Sequence, residues 1–133
     1  MKNHIIISLL FLSVGLSQQI IHTEIYDSEN IKSITYHKKT RDKIEIVNFF
    51  KYYESGQKKE EGTFKDGKED GLKTWWYENG QKSYEGTFKD GEQQGLHTSW
   101  YENGQKENEG ILKDGEVIKL IGKWNWDGSV RYN

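Results

Sequence analysis

The chain contains no cysteine and no proline. Without cysteine, disulfide staples, thiolate metal sites and cysteine nucleophiles are excluded. Without proline, chain reversals must be made by glycine, asparagine and aspartate, and fourteen glycines are present for that purpose. Aliphatic side chains are scarce as well, because only 33% of residues are hydrophobic while aromatics alone account for 14%. A disordered chain of such low hydrophobicity would lack aromatics, and this one carries five Trp and eight Tyr. The expectation is one folded domain, thin and largely open to solvent. Basic residues are nowhere concentrated and the formal net charge is −2, so the counterion displacement that drives nucleic-acid binding has no basis here.

Long apolar runs are absent except at the start. Residues Ile5 to Leu16 form one apolar stretch behind Lys2, with Gly15 and Ser17 as small residues at its end. This is the pattern of a secretory signal peptide, and the stretch is shorter than the roughly 20 residues a membrane span needs. Cleavage is expected after Ser17, giving an exported chain, periplasmic or extracellular, that begins at Gln18; the alternative is a buried N-terminal strand or uncleaved anchor. The domain plan is then a signal peptide at 1–17, an N-terminal β segment, degenerate repeat or cap at 18–48, and a repeat array with a decaying C-terminal cap at 49–133.

What is present is repetition. "YENGQK" occurs at Tyr77–Lys82 and Tyr101–Lys106, with "YESGQK" at Tyr53–Lys58, a spacing of 24. "EGTFKDGKEDGL" at 61–72, "EGTFKDGEQQGL" at 85–96 and "EGILKDGEVIKL" at 109–120 fall into the same register. Asn-Gly and Asp-Gly between segments rich in Trp, Tyr, Phe and Thr signal β-hairpins, because these residues tolerate the positive φ of tight turns. Each period therefore holds two strands, about Leu72–Tyr77 and Lys82–Phe88. A three-residue loop with Gly80 as left-handed bulge residue pairs Trp76 with Lys82. It is expected to place Leu72, Thr74, Trp76, Tyr84, Gly86 and Phe88 on one face and Trp75, Tyr77 and Thr87 on the other.

From this register the expected structural core is Leu72, Trp76, Tyr84, Phe88, Leu96, Trp100 and Trp124. The expected turn residues are Asn79, Gly80, Asp90, Gly91, Asn103 and Gly104, with the second, charged turn projecting as a longer loop. Gly62, Gly86 and Gly110 inside strands are expected to lie beneath a neighbouring Trp or Tyr. Tyr53, Trp75, Tyr77 and Tyr101 are expected to form an exposed aromatic strip, a candidate partner-binding face.

These residues carry a resemblance. "YEGTFKDGEQQGLHTSWYENGQK" (84–106) resembles the MORN repeat, with Tyr84, Glu85, Gly86, Phe88, Asp90, Gly91 and Gly95 on its pattern, and "YENGQK" is similar to the bacterial variants grouped as YwqK-family antitoxins. The resemblance implies an all-β fold, an elongated antiparallel sheet of stacked β-hairpins built from 24-residue repeats. It also implies a binding role, toward a protein partner or surface polymer, or toward a toxin that the chain neutralises.

Little chemistry is visible. His97 has no periodic counterpart and reads as an exposed strand residue, His22 and His37 have no zinc-like spacing, and Asp66, Asp90 and Asp114 offer too few ligands for calcium. No Gly-x-Ser-x-Gly elbow presents a nucleophile. The expectation is no enzymatic activity, no metal and no cofactor. The acidic balance disfavours a membrane surface, and the partner is expected to be a protein whose identity the sequence does not name.

Overall fold

A computed structural model of the chain describes residues 9–11 and 18–132. The signal-peptide expectation at 1–17 lies outside the described residues, apart from Leu9–Phe11. Those three form strand β1, which pairs antiparallel with Gln19–Ile21 of the next strand.

The strands follow in order: β2 (Gln18–Ile25), β3 (Ile31–Lys39), β4 (Ile44–Tyr52), β5 (Lys58–Lys65), β6 (Lys68–Glu69), β7 (Gly71–Trp76), β8 (Lys82–Lys89), β9 (Glu92–Trp100), β10 (Lys106–Lys113) and β11 (Glu116–Lys123). They make one open antiparallel sheet in sequence order, with the short β6 pairing only β5. The fold is the all-β hairpin array that the sequence predicts, and the N-terminal segment opens the same sheet.

Turn chemistry explains why. In Tyr77–Gln81 the Tyr77 amide donates to the Gln81 carbonyl and the Gly80 amide to the Tyr77 carbonyl, with Gly80 at φ 86°. This is the three-residue loop, and Trp76 pairs with Lys82 as expected. The first hairpin repeats it in degenerate form. Tyr26 bonds Asn30 in the same way, and Glu29 at φ 68° stands where the later copies have glycine.

The opposite turn differs from expectation. Asp90-Gly91 is no projecting loop: both residues have positive φ, 53° and 90°, and Lys89 pairs with Glu92 directly across them. Aspartate and glycine tolerate the left-handed conformation that a two-residue type I′ turn demands twice, so the strands run on through the charged segment.

The face assignment also needs correction. Trp76 pairs with Lys82 but Trp75 pairs with Tyr84, so Ser83 is a bulge, and Lys59 and Glu107 bulge at the equivalent places. One extra residue per returning strand reverses the side-chain parity beyond it. Tyr84, Gly86 and Phe88 therefore share a face with Trp75 and Lys73, while Leu72, Thr74 and Trp76 lie on the other. Leu72 and Leu96 are not core: each is 53% exposed, Leu72 opposite Thr87 and Leu96 inside the bulge between Gln94 and His97.

The first face buries Phe49, Phe88 and Leu112. Phe49 touches Phe64 with ring centroids 5.6 Å apart, and Trp75 meets Tyr84 at 5.1 Å. The strand glycines are covered here too, Gly86 by Tyr84 as expected, but Gly62 by Phe49 and Gly110 by the His97 ring in place of the expected Trp or Tyr. The second face carries a ladder in which Lys58, Lys82 and Lys106 lie over Trp76, Trp100 and Trp124 at 5.0, 5.8 and 5.6 Å. Thr74 and Thr98 are buried beside it, reaching Glu85 and Glu109. No second layer covers either face among the described residues, so side chains of the sheet must cover one another.

Gly80 tests the turn argument. A Cβ there would meet only Gln57 Oε1 at 3.7 Å, so the cost of Gly80→Ala is the positive φ alone. It should destabilise the chain by about 1–2 kcal/mol in urea unfolding, whereas an unchanged midpoint would contradict the left-handed assignment.

Candidate functional site

The expected aromatic strip is not assembled. The hydroxyl of Tyr53 donates to the Trp76 carbonyl (2.7 Å), that of Tyr77 to Trp100 (2.8 Å) and that of Tyr101 to Trp124 (3.0 Å). Tyr26, which sequence reasoning missed, does the same to Tyr52 (2.8 Å). Trp75 is half-buried against Tyr84 and Phe88. The asparagines of the turns behave likewise: Asn79 donates to the Glu102 carbonyl and Asn103 to that of Trp126, while Gln81 and Gln105 lie against Gly104 and Gly128 of the next turn. The hexapeptide is thus occupied in joining each repeat to its successor. Trp76, Trp100 and Trp124 are half-buried under their lysines, and the turn residues Asn79, Gly80, Asp90, Gly91, Asn103 and Gly104 stand where expected.

Two features remain that the repeat does not use. The first is a cleft of about 350 Å³ on the first face, toward the N-terminal end. The register puts Glu24 opposite Ser33, Ser33 opposite Lys51, and Lys51 opposite Glu60, one row across four strands. The next row runs from His22 through Thr35 to Phe49. Small Ser33 and Thr35 leave the space that Trp75 and Tyr84 fill farther along. Glu60 is buried and holds Lys51 at 2.8 Å and Lys73 at 3.2 Å; Lys73 also pairs with Glu69. Burial alone would raise the Glu60 pKa, but hydrogen bonds and charge from Lys51 and Lys73 outweigh it and hold the carboxyl below its ordinary value.

The second feature is β11, the last strand of the sheet. Its Val117, Ile118, Leu120 and Ile121 are 57, 62, 42 and 48% exposed. One period earlier the places of Val117 and Ile118 hold Gln93 and Gln94, and two periods earlier Glu69 and Asp70. After Trp124 the chain turns through Asp127-Gly128 and comes back to pair Val130 with Trp124, the Arg131 amide donating to the Lys123 carbonyl at 2.8 Å. Among the described residues no strand lies beside Glu116–Ile121 on its outer side.

With this geometry established, comparison with known proteins is informative. A family model described as "MORN repeat variant" matches residues 48–66, 69–90 and 93–114. This stretch of the chain is built of MORN repeats. The strands β2, β3 and β11 fall outside the matched residues, so both features left unused by the MORN repeats involve strands beyond them. No curated protein matches the chain. One solved structure that it matches is a mutant of S. aureus TarM in complex with fondaparinux, α-GlcNAc-glycerol and UDP, at 11% identity and a TM-score of 0.41. That match covers 85% of this chain and 21% of the other, and so weak a likeness carries no argument.

His97 is also placed differently from its reading as an exposed residue. It is half-buried, stacks on Tyr84 with centroids 6.2 Å apart, and its Nδ1 is buried without a partner. Burial lowers its pKa, against smaller opposing effects of a Gly110 backbone hydrogen bond and the Glu109 charge. The unfolded chain therefore takes up this proton first. The stabilising contribution is fully present above the unfolded value of about 6.5 and is lost as pH falls from there through the folded value. Acidification through this window should lower the wild-type urea midpoint by more than that of His97→Phe, which keeps a ring over Gly110. Equal losses in the two proteins would contradict the assignment.

Proposed function

We propose that the chain is an exported, non-enzymatic binding module in which the MORN repeats are the scaffold and the outer edge of β11 accepts an extended strand from a partner protein. The observation that carries this reading is the replacement of Gln93 and Gln94 by Val117 and Ile118 in the strand at the C-terminal edge of the sheet. A terminal repeat that only needed to meet water would be more polar than its neighbours, and this one is more apolar. Exposed backbone donors and acceptors, flanked by apolar side chains, are what strand addition uses. Lys119 joins no ion pair among the described residues, so a partner strand with a carboxylate opposite it fits best. The chain's own return at Val130 already covers the C-terminal end of this edge, at Lys123, and leaves Glu116–Ile121 open.

Export rests on the pattern of residues 1–17, and the absence of turnover on the sequence, which has no Gly-x-Ser-x-Gly elbow to present a nucleophile. Neutralisation of a toxin would be one form of such binding, but the hexapeptide gives it no special support because its side chains are engaged within the sheet.

The test is the chain recovered from the exported fraction of its own cells, with its N-terminus sequenced and its partner cross-linked in place. The mature chain should begin near Gln18, and intact Met1 in the cytoplasm would overturn export. Ile118→Lys should lose the partner and the slowed hydrogen exchange of β11, while Leu96→Lys, at an equally exposed leucine inside the array, should keep both. Equal behaviour of the two variants would overturn the edge as the binding surface.

A further inference from the structure

We infer that the cleft across β2 to β7 is a subsite for a neutral, hydroxyl-rich ligand, a short saccharide or the saccharide unit of a polymer. The cleft lies at the junction between the N-terminal strands and the MORN repeats, and about 350 Å³ is near the lower end of the volumes that hold small ligands. It exists because small Ser33 and Thr35 stand on β3 where the next strand has Lys51 and Phe49, and where the Ser33 row farther along has Trp75 and Tyr84. The space is therefore specific to this part of the chain and is not a consequence of the repeat.

The chemistry of the wall selects the ligand. Along the Glu24, Ser33, Lys51, Glu60 row, a carboxylate stands at each end with a hydroxyl and an ammonium group between them, at the inter-strand spacing of roughly 4.8 Å. Glu24 accepts from the Ser33 hydroxyl at 3.1 Å and joins no ion pair among the described residues, leaving carboxylate lone pairs directed to the cleft. Lys51 bonds Glu60 with one proton while its side chain is half exposed, so further ammonium protons face solvent. Carboxylates Glu24, Glu60 and Glu69 stand against ammonium groups Lys51 and Lys73, so an anion would meet uncompensated acid. A cation would find Glu24 alone unpaired, since Glu60 and Glu69 are already held by lysines, and would face the Lys51 and Lys73 ammonium groups. A hydroxyl both donates and accepts, and a ring bearing several of them satisfies carboxylates and ammonium groups together without bringing charge. Ile46, Phe64 and the rim of Phe49 supply the apolar side on which the C–H surface of such a ring rests.

This inference does not depend on strand addition at β11, which lies at the other end of the sheet. The probes are neutral trisaccharides of glucose, galactose and N-acetylglucosamine, beside cationic glucosamine and anionic galacturonate trisaccharides, each titrated into isotopically labelled full-length chain and followed by NMR. At least one neutral probe should saturate shifts at Ser33, Thr35 and Lys51 while leaving β11 unmoved. Glu24→Gln should weaken it about tenfold or more, as expected for loss of a charged hydrogen-bond acceptor. Thr35→Trp should abolish it by filling the cleft. Should Thr35→Trp not fold, Glu24→Gln still decides. Ile118→Lys should bind the saccharide normally, which separates failure here from failure of the β11 reading. Preference for a charged probe, shifts confined to other surfaces, or no saturable shift with any neutral probe would overturn the inference.

Discussion

The tyrosine that opens each hairpin turn gives its hydroxyl to a carbonyl in the following repeat, and the sheet depends on that bond. A sheet with no covering layer buries little: among the described residues Phe49, Phe88 and Leu112 are the buried hydrophobic ones, and no side chain is wholly enclosed. Adjacent repeats must therefore be held by more than apolar contact. Tyr26, Tyr53, Tyr77 and Tyr101 supply one cross-repeat bond each, and Asn30, Asn79 and Asn103 add another row beside them. At a net of roughly 0.5–1.5 kcal/mol apiece these bonds amount to several kcal/mol, comparable with the whole stability of a small domain. Lysine over tryptophan on the second face works in the same direction, because the aliphatic stem and ammonium group shield an indole that no second sheet would cover.

This constraint separates scaffold from function. Residues that recur every 24 positions are tied to their neighbours and have little left to offer a partner. What can vary is found where the pattern stops, in the N-terminal strands that open a cleft beside Glu24 and in a last strand that replaces glutamines with Val117 and Ile118. In a nearest-neighbour array the ends are the natural places for such change, since an end strand answers to only one neighbour.

Much of this was legible in the sequence. The period, the hairpins, the left-handed Gly80 and the cover of Gly86 by Tyr84 follow from residue type and spacing, whereas the cover of Gly110 by His97 was missed. The faces were not legible, because Ser83 looks like any strand residue and only the paired backbone reveals it as a bulge. That single extra residue turned Trp75 inward and put Leu72 on the opposite face, in the open. The Asp90-Gly91 turn was hidden by the charge around it, which suggested a loop where two left-handed residues suffice. The cleft could not be found from pattern at all, since it arises from small side chains at Ser33 and Thr35 whose register against Lys51 and Phe49 is set by a bulge after Tyr36.

The most direct measurement of the stitching is native-state hydrogen exchange in the double variant Tyr77→Phe, Asn79→Ala, which removes both bonds from one turn to the next and leaves every strand intact. Exchange should speed up at the amides of Tyr101 and Gly104 and in β10 and β11, while the Tyr53–Gln57 turn keeps its protection. Unchanged protection beyond Trp100, or the same acceleration on both sides of the altered turn, would contradict the claim that these side chains hold successive repeats together.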